Sequence, residues 1–262
     1  MVSAAVSGCA QASLPVKPGE GVNVGNSSSL RKLVPAKQLE NSAGQQYHQL
    51  LSKAGAQHAL ASSKDPQLMR VRSIAARIIP HASRFNGRAS QWKWEVNLIK
   101  SKQVNAFCMP GGKIAFYSAI LDQLKLTDDE IAVVMGHEIA HALREHAREQ
   151  IAKNGLTNAG ALILSSVVGG SAGSLIKTGV GLLSLKYSRD DESDADLVGL
   201  ELAARAGFDP RAGITLWRKM SAASKGAPME WLSTHPAGAT RIATIESNLP
   251  AVLPLYMAAR KQ

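Results

Sequence analysis

The stretch TDDEIAVVMGHEIAHALR, residues 127–144, combines a helix start with the side chains of a metal site. Thr127 followed three positions later by Glu130 is typical of a capping box, in which each side chain accepts a hydrogen bond from the backbone N–H of the other residue. The apolar residues that follow continue a helical pattern. We therefore expect one helix from this cap to about Lys153.

Two histidines and a glutamate of this helix carry the predicted chemistry. His137 and His141 are four positions apart, so their imidazoles share one face of the helix and can bind a single Zn²⁺ through neutral nitrogens. Glu138 points toward the water side of that ion, where it can take a proton from zinc-bound water. The alternative is a pair of surface histidines on a basic amphipathic helix. His146 lies off the ligand face, and we expect it to face solvent or to support a ligand without binding the metal.

A catalytic zinc also needs a third protein ligand and one open position. Glu192 and Asp196, in the sequence SRDDESDAD at residues 188–196, are again four apart and share a helix face. One of them can bind the metal while the other accepts the N–H of a ligand histidine, which fixes the tautomer of that histidine. The alternative is an acidic first turn that interacts favourably with the helix dipole.

These motifs together resemble a known family. His-Glu-x-x-His, followed some fifty residues later by Ser-Arg-x-x-Glu-x-x-Ala-Asp, is similar to the HtpX-like, CAAX-prenyl-protease-related zinc endopeptidases, a branch of the gluzincins. Residues 105–112 resemble the strand and turn before the metal helix of that family, and Thr234-His235-Pro236 with Arg241-Ile242 resembles its C-terminal His-Pro element. The resemblance covers about residues 45–256. It extends to the periplasmic lipoproteins of the LoiP type and to the mitochondrial Oma-type quality-control proteases.

The resemblance implies roles for several residues. Glu192 would be the third ligand, Asp196 the partner of a ligand histidine, and His235 a donor that stabilises the transition state. A donor aimed at the developing oxyanion is worth about 10²–10³ in rate. His235 could instead fill the fourth position of the zinc and hold the enzyme latent, or it could be a capping or core histidine. Asp194 stands where these relatives usually carry Glu.

The implied fold is α+β and mostly α, a zincin-like helical domain with a small antiparallel sheet beside the metal-binding helix. Strand composition over residues 92–99, 104–109 and 113–117 predicts that sheet. An exposed strand edge can pair with an extended substrate by main-chain hydrogen bonds. The residues predicted to bind substrate in this way are Asn105, Ala106, Phe107, Cys108 and Met109. We expect Cys108 to be a small buried residue rather than a nucleophile.

The amino terminus predicts a lipid anchor. Val6-Ser7-Gly8-Cys9 resembles a bacterial lipobox, in which the cysteine is lipidated, although a basic segment before it is absent. Ala10 after that cysteine favours the outer membrane, by resemblance to enterobacterial sorting, so the expected location is the periplasm with a lipid anchor at Cys9. The alternative is a disordered tail rich in Ala and Ser. The expected organisation is a truncated signal at 1–9, a flexible tether at 10–35 and the metallopeptidase domain at 36–262.

The composition of the 262-residue chain is that of a globular protein, with 45% hydrophobic and 19% charged residues. Two cysteines exclude a disulfide scaffold and a cysteine-rich metal site. The net charge of +10 is not accompanied by a nucleic-acid-binding signature, so we expect no nucleic-acid partner. Residues 155–176 carry no charge, but their Gly and Ser content favours a buried hairpin over a membrane span.

The expected function is that of an endopeptidase with one Zn²⁺ per chain, which degrades misfolded or unassembled proteins of the bacterial envelope. Two other functions stay open. One is a latent, zinc-bearing, chaperone-like assembly factor for outer-membrane proteins. The other is a different zinc hydrolase, such as an amidase.

Overall fold

The structure is a computed structural model that describes residues 19–157, 181–223, 229–235 and 239–261. Helices surround a three-stranded sheet in this part of the chain, which confirms the predicted α+β, mostly α class. The helices are α1 (Ala36–Ala56), α2 (Pro66–Ile78), α3 (Ser118–Gln123), α4 (Asp128–Arg144), α5 (His146–Thr157), α6 (Arg189–Arg205), α7 (Ala212–Ala223), α8 (Glu230–Thr234) and α9 (Ala239–Ala259). Short 3₁₀ turns lie at Ser29–Leu33, Ile79–Arg84, Gly87–Gln91 and Leu182–Ser184.

The two helices that carry the predicted metal ligands begin at side-chain caps. Thr127 accepts a hydrogen bond from the N–H of Glu130, and the Glu130 carboxylate accepts one from Thr127 N at 2.8 Å, so the predicted capping box is present. Ser188 and Asp191 form the same reciprocal arrangement at the start of α6. Each cap fixes the first turn of its helix, and with it the register of the side chains that follow.

The sheet has the strand order β1 (Glu95–Ile99), β3 (Lys113–Tyr117), β2 (Ala106–Met109). β2 is antiparallel to β3 across a turn at residues 110–112, but β1 runs parallel to β3. The predicted antiparallel sheet is therefore wrong in one of its two pairings, because the sheet is mixed. Residues 100–105 do not form a tight hairpin, so β3 can return between β1 and β2.

The sheet separates two apolar clusters, because successive side chains of a strand point to opposite faces. Ile114 and Phe116 of β3 pack into the larger cluster with residues of α2, α4 and α6. Ala115 and Tyr117 pack into a smaller cluster with residues of α1 and α5. β2 lies at the edge of the sheet and contacts α4. The sheet thus presents one strand edge beside the helix that carries the predicted zinc ligands.

The predicted single helix to about Lys153 is wrong, because α4 ends at Arg144. Glu145 adopts the left-handed conformation with φ +64°, and α5 begins at His146 as a separate helix. The left-handed conformation costs a residue other than glycine about 1–2 kcal/mol. The carboxylate of Glu145 itself forms ion pairs with three arginines: Arg31, Arg88 and Arg148. These ion pairs offset the cost of the left-handed residue.

The last part of the predicted tether lies on the folded domain. Val22 N donates a hydrogen bond to the buried carboxylate of Glu201 at 2.7 Å. Gly21 has φ +97°, and a Cβ at this position would lie 2.3 Å from Glu201 Oε2, so the contact requires glycine. The described residues of the tether thus contact the domain, while the boundary at residue 36 stays a prediction.

Two predictions fall outside the described residues. Cys9, the lipobox cysteine, is one of them, and residues 158–176 of the uncharged segment are the other. Within the ranges that the structure describes, each helix is too short or too polar to cross a membrane.

Candidate metal centre

The predicted zinc-binding histidines lie on one buried face of α4. His137 and His141 are each 2% exposed, and their Nε2 atoms are 3.0 Å apart. Their rings meet edge to face, with centroids 4.7 Å apart. The four-residue spacing therefore places the two nitrogens side by side.

Helix α6 brings a carboxylate to the same point. Glu192 Oε2 lies 3.5 Å from His137 Nε2, and Glu192 Oε1 lies 3.5 Å from His141 Nε2. Glu192 is buried like the two histidines. The structure thus brings together the three side chains that the sequence analysis names as ligands.

His235, which follows α8, joins this cluster. Its Nδ1 is 2.9 Å from Glu192 Oε1 and 3.2 Å from His137 Nε2. One donor atom from each of four buried residues lies within 4.8 Å of the others: His137, His141, Glu192 and His235. His235 is therefore near enough to act as a fourth ligand or as a hydrogen-bond donor beside the metal.

Arg241 and Asp196 form hydrogen bonds with residues of this cluster. His137 Nδ1 lies 3.1 Å from Asp196 Oδ1, the contact that the sequence analysis expects between a ligand histidine and a carboxylate. Arg241 donates to Asp196 Oδ2 and to Glu192 Oε2, both at 2.6 Å. Its guanidinium stacks 3.7 Å above the ring of Trp217. A single buried arginine thus orients two carboxylates of α6, those of Glu192 and Asp196.

Glu138 lies on the cleft side of α4, with one oxygen held in place. Trp231 Nε1 donates to Glu138 Oε1 at 2.7 Å. His235 Nε2 lies 3.7 Å from the same oxygen. The Trp231 ring stacks on His235 with centroids 4.8 Å apart, so one aromatic side chain positions both groups.

A narrow cleft opens over Glu138 and His235. One wall is residues 105–110, which include the edge of β2 on the side away from β3, and the facing wall includes Leu182, Leu185 and Tyr187. The cleft encloses about 40 Å³, which is room for about two or three water molecules. It can therefore hold the water that a hydrolase needs next to its base.

The site shifts the pKa values of its buried groups in different directions. Burial lowers the pKa of His141 well below its usual value, despite the nearby Glu192 carboxylate. Burial raises the pKa of Glu192, but hydrogen bonds with His141 and His235 outweigh it, so the net shift is downward. Burial lowers the pKa of His235, but the Glu138 and Glu192 carboxylates outweigh it, so the net shift is upward. A neutral His141 beside an ionised Glu192 is the protonation state that a metal ligand pair requires.

Zinc fits this donor set. Imidazole nitrogens and a carboxylate are ligands of catalytic zinc. Three carboxylates are buried here, Glu138, Glu192 and Asp196; the Arg241 guanidinium binds the last two, and buried charge needs compensation. Because an aspartate oxygen can only accept, the Asp196 contact keeps the proton of neutral His137 on Nδ1 and leaves a lone pair on Nε2. A divalent cation among these lone pairs would contribute to that compensation.

Three side chains of the site were assigned no chemical role from the sequence, although Arg241 belongs to the C-terminal element that resembles the family. Arg241 and Trp231 come from the C-terminal region, and Tyr187, just before α6, stacks on His141 with centroids 4.0 Å apart. The four-residue spacing of Trp231 and His235 is a signal that could have suggested a shared face. Cys108 is buried, and burial raises its pKa well above the usual value, which fits the expectation of an inert thiol.

Comparison with known proteins identifies the class. The model of peptidase family M48 matches residues 67–249, more than half of the chain. The chain belongs to peptidase family M48. Members of this family are zinc metallopeptidases of the gluzincin type, so the resemblance found in the sequence, the enzyme class and the choice of zinc are confirmed.

Individual relatives come from mitochondria and from bacteria. The chain is 36% identical over 214 residues to the mitochondrial metalloendopeptidase OMA1 of Schizosaccharomyces pombe, covering 78% of this chain and 59% of the relative. It is 32% identical to the Saccharomyces cerevisiae protein of that name, covering 76% of this chain and 61% of the relative. It is 29% identical to the beta-barrel assembly-enhancing protease of Escherichia coli K12, covering 74% and 41%. The chain thus spans less than two thirds of the length of each of these relatives.

Proposed function

We propose that this chain is a zinc-dependent endopeptidase in which His137, His141 and Glu192 bind the metal. The observation that carries the proposal is the convergence of these three buried donors from two helices beside Glu138. When bound, zinc acts as a Lewis acid and lowers the pKa of water toward about 7. The remaining chemistry belongs to side chains of this protein.

Glu138 is the general base. Its carboxylate faces the cleft, where it takes a proton from the attacking water and delivers that proton to the leaving amine. The Trp231 N–H bond at 2.7 Å occupies one oxygen and fixes the plane of the carboxylate. The other oxygen then remains available for the water.

His235 is the second catalytic group. Its raised pKa favours the imidazolium form, which can donate a hydrogen bond to the oxyanion that develops on the substrate carbonyl. Asp196 has a supporting role, because it fixes the His137 tautomer while Arg241 fixes Asp196. The ligand rings and the base therefore have defined orientations before substrate arrives.

An extended peptide is the proposed substrate form, and it pairs with the edge of β2. Tyr117 N donates to Asn105 O at 3.0 Å, which sets the alternation of the β2–β3 ladder. Because the next bonded pair is Phe107 with Ala115, the backbone of Ala106 and Cys108 faces the cleft edge. Asn105 Oδ1 accepts from Ala106 N, so, among the residues that the structure describes, the carbonyl of Ala106 and both backbone groups of Cys108 are left for a substrate strand.

The proposed substrates are misfolded or unassembled proteins of the bacterial envelope. Main-chain pairing recognises an unfolded segment largely irrespective of its side chains, which suits quality control. The lipobox-like sequence at Cys9 supports a lipid anchor on the periplasmic side of the outer membrane. The name of the Escherichia coli relatives, beta-barrel assembly-enhancing protease, is in keeping with that location.

A second candidate function is a latent, zinc-bearing assembly factor. The observation that favours it is the position of His235 Nδ1, 3.2 Å from His137 Nε2 and thus inside the donor cluster. As a fourth ligand it would close the position that water needs.

The test compares the parent with Glu138→Gln. Elemental analysis measures zinc per chain, and digestion of casein with and without a chelator measures proteolysis. We expect one zinc in both proteins and casein cleavage by the parent alone, abolished by the chelator. Equal cleavage by both proteins would refute Glu138 as the base, and a zinc-loaded parent that does not cleave would favour the latent function.

A further inference from the structure

His146 lies beside the metal cluster, although a continuous helix would turn it away. Its Nδ1 is 3.0 Å from Nδ1 of His141, and it is 4% exposed. The left-handed Glu145 ends the register of α4, which lets a residue five positions after His141 reach the back of that ring. The contact involves the nitrogen of His141 that faces away from Glu192.

Asp194 of α6 contacts the second ring nitrogen of His146, Nε2. His146 Nε2 is 3.0 Å from Asp194 Oδ2, and Arg144 Nε also donates to that oxygen, at 2.5 Å. Asp191 is farther away, with Oδ1 at 3.8 Å from His146 Nε2, and its other oxygen is occupied by the cap of α6. Asp194 is therefore the partner of His146.

The chemistry of these groups fixes where the protons lie. An aspartate oxygen only accepts, so the proton between His146 and Asp194 sits on His146 Nε2. A neutral His146 then has a lone pair on Nδ1, and the proton between the two imidazoles sits on His141 Nδ1. His141 Nε2 is left with a lone pair directed at the donor cluster. The reverse order would place a proton on His141 Nε2, where it would exclude a metal.

We propose that His146 and Asp194 are positioning residues, which hold His141 in the tautomer that leaves its Nε2 free to bind the metal. The inference rests on the proposed zinc site and extends it. A ligand histidine usually donates its other N–H to a carboxylate, carbonyl or water. His137 does so directly through Asp196, whereas His141 does so through a second imidazole. The two ligands of one helix are thus oriented by separate carboxylates, both on α6.

Three substitutions at position 146 separate the two hydrogen bonds of the imidazole. His146→Asn keeps an acceptor close to the position of Nδ1 and loses the bond to Asp194. His146→Gln places its amide near the position of Nε2 and loses the bond to His141. His146→Phe removes both. His81→Phe, on the 3₁₀ turn Ile79–Arg84, is the matched control.

The zinc dissociation constant of each full-length variant is measured by competition with a chromogenic chelator, and the melting temperature of the metal-free protein is measured in parallel. We expect His146→Phe and His146→Gln to bind zinc about 10–100-fold more weakly than the parent. His146→Asn should remain within a few-fold of the parent, as should the control. Long-range ¹H–¹⁵N spectra of the zinc-loaded parent should show the His141 proton on Nδ1.

The outcomes distinguish this inference from the proposed function. If the parent and the Phe, Gln and Asn variants all bind zinc equally tightly, the positioning role is overturned while the zinc site stands. The same conclusion follows if the Asn variant loses as much zinc affinity as the Phe variant. A parent without zinc would overturn both. If the metal-free Phe variant does not fold, the zinc dissociation constants of the Asn and Gln variants test the positioning role, which requires the Gln variant to bind more weakly.

Discussion

Gly136 of α4 lies directly against Gly199 of α6, backbone to backbone. A Cβ on Gly136 would fall 2.5 Å from Gly199 O, and a Cβ on Gly199 would fall 2.6 Å from His137 N. No side chain separates the two helices at this point. The distance from the His137 and His141 nitrogens to Glu192 is therefore set by a contact that only glycine permits.

Gly199→Ala should push α6 away from α4. An overpacked core position costs about 1–3 kcal/mol of the free energy of unfolding. The displacement also moves Glu192 from the histidines, so zinc affinity should fall together with stability. Chemical denaturation and zinc titration measure the two effects. Gly55→Ala is the control, because a Cβ there meets nothing within 4 Å; equal results for both variants would contradict the role of the glycine contact.

Arg241→Met should destabilise the metal-free protein strongly. The substitution leaves Glu192 and Asp196 buried without the guanidinium that binds both, and breaking such a buried pair costs about 3–5 kcal/mol. Saturating zinc should restore part of this loss, because the cation compensates Glu192. Chemical denaturation with and without zinc measures the free energy of unfolding in both states. Arg211→Met removes an exposed ion pair and should change stability far less, and the assignment fails if the two variants behave alike.

Trp231→Phe should lower the turnover number while leaving zinc bound. The variant keeps an aromatic ring against His235 but loses the N–H bond to Glu138. A hydrogen bond to a charged group is worth about 1.5–3 kcal/mol, so we expect a loss of about 10–100-fold in kcat. Trp94→Phe loses an indole bond of 3.0 Å to a backbone oxygen, Ala89 O, instead of to the base, and serves as control. Unchanged kcat in Trp231→Phe would show that Glu138 needs no such support.

His235→Phe separates the two proposed functions. If His235 stabilises the transition state, kcat for casein should fall about 10²–10³-fold with zinc retained. If His235 instead closes the coordination sphere, its removal should raise activity. We expect the fall, because the raised pKa favours the donor form. His48→Phe, an exposed histidine paired with Glu95, should match the parent.

The sequence predicts the parts of the site that depend on local periodicity. The four-residue spacings of His137 with His141 and of Glu192 with Asp196 follow from helix geometry, and the cap at Thr127 is legible as a motif. The spacing named the two histidines, whereas the choice of Glu192 over Asp196 as the third ligand came from the resemblance to the family.

The remaining features depend on contacts between distant segments. The break after α4 is stabilised by arginines at positions 31 and 88, far from Glu145 in the sequence, so helical periodicity gave no sign of it. Of the two positions expected for His146, facing solvent or supporting a ligand, the break gives the second, with its Nδ1 3.0 Å from His141 Nδ1. Arg241 lies 45 residues from Asp196, and its role emerges only when α9 packs on α6. The parallel pairing of β1 with β3 is likewise a matter of tertiary topology.

The most direct test of the central claim is a crystal structure of the zinc-loaded protein with anomalous data at the zinc absorption edge. We expect one anomalous peak, about 2.0–2.2 Å from Nε2 of His137, Nε2 of His141 and a carboxylate oxygen of Glu192. A peak elsewhere, or a peak at the histidines with Glu192 turned away and no other residue in its place, would contradict it.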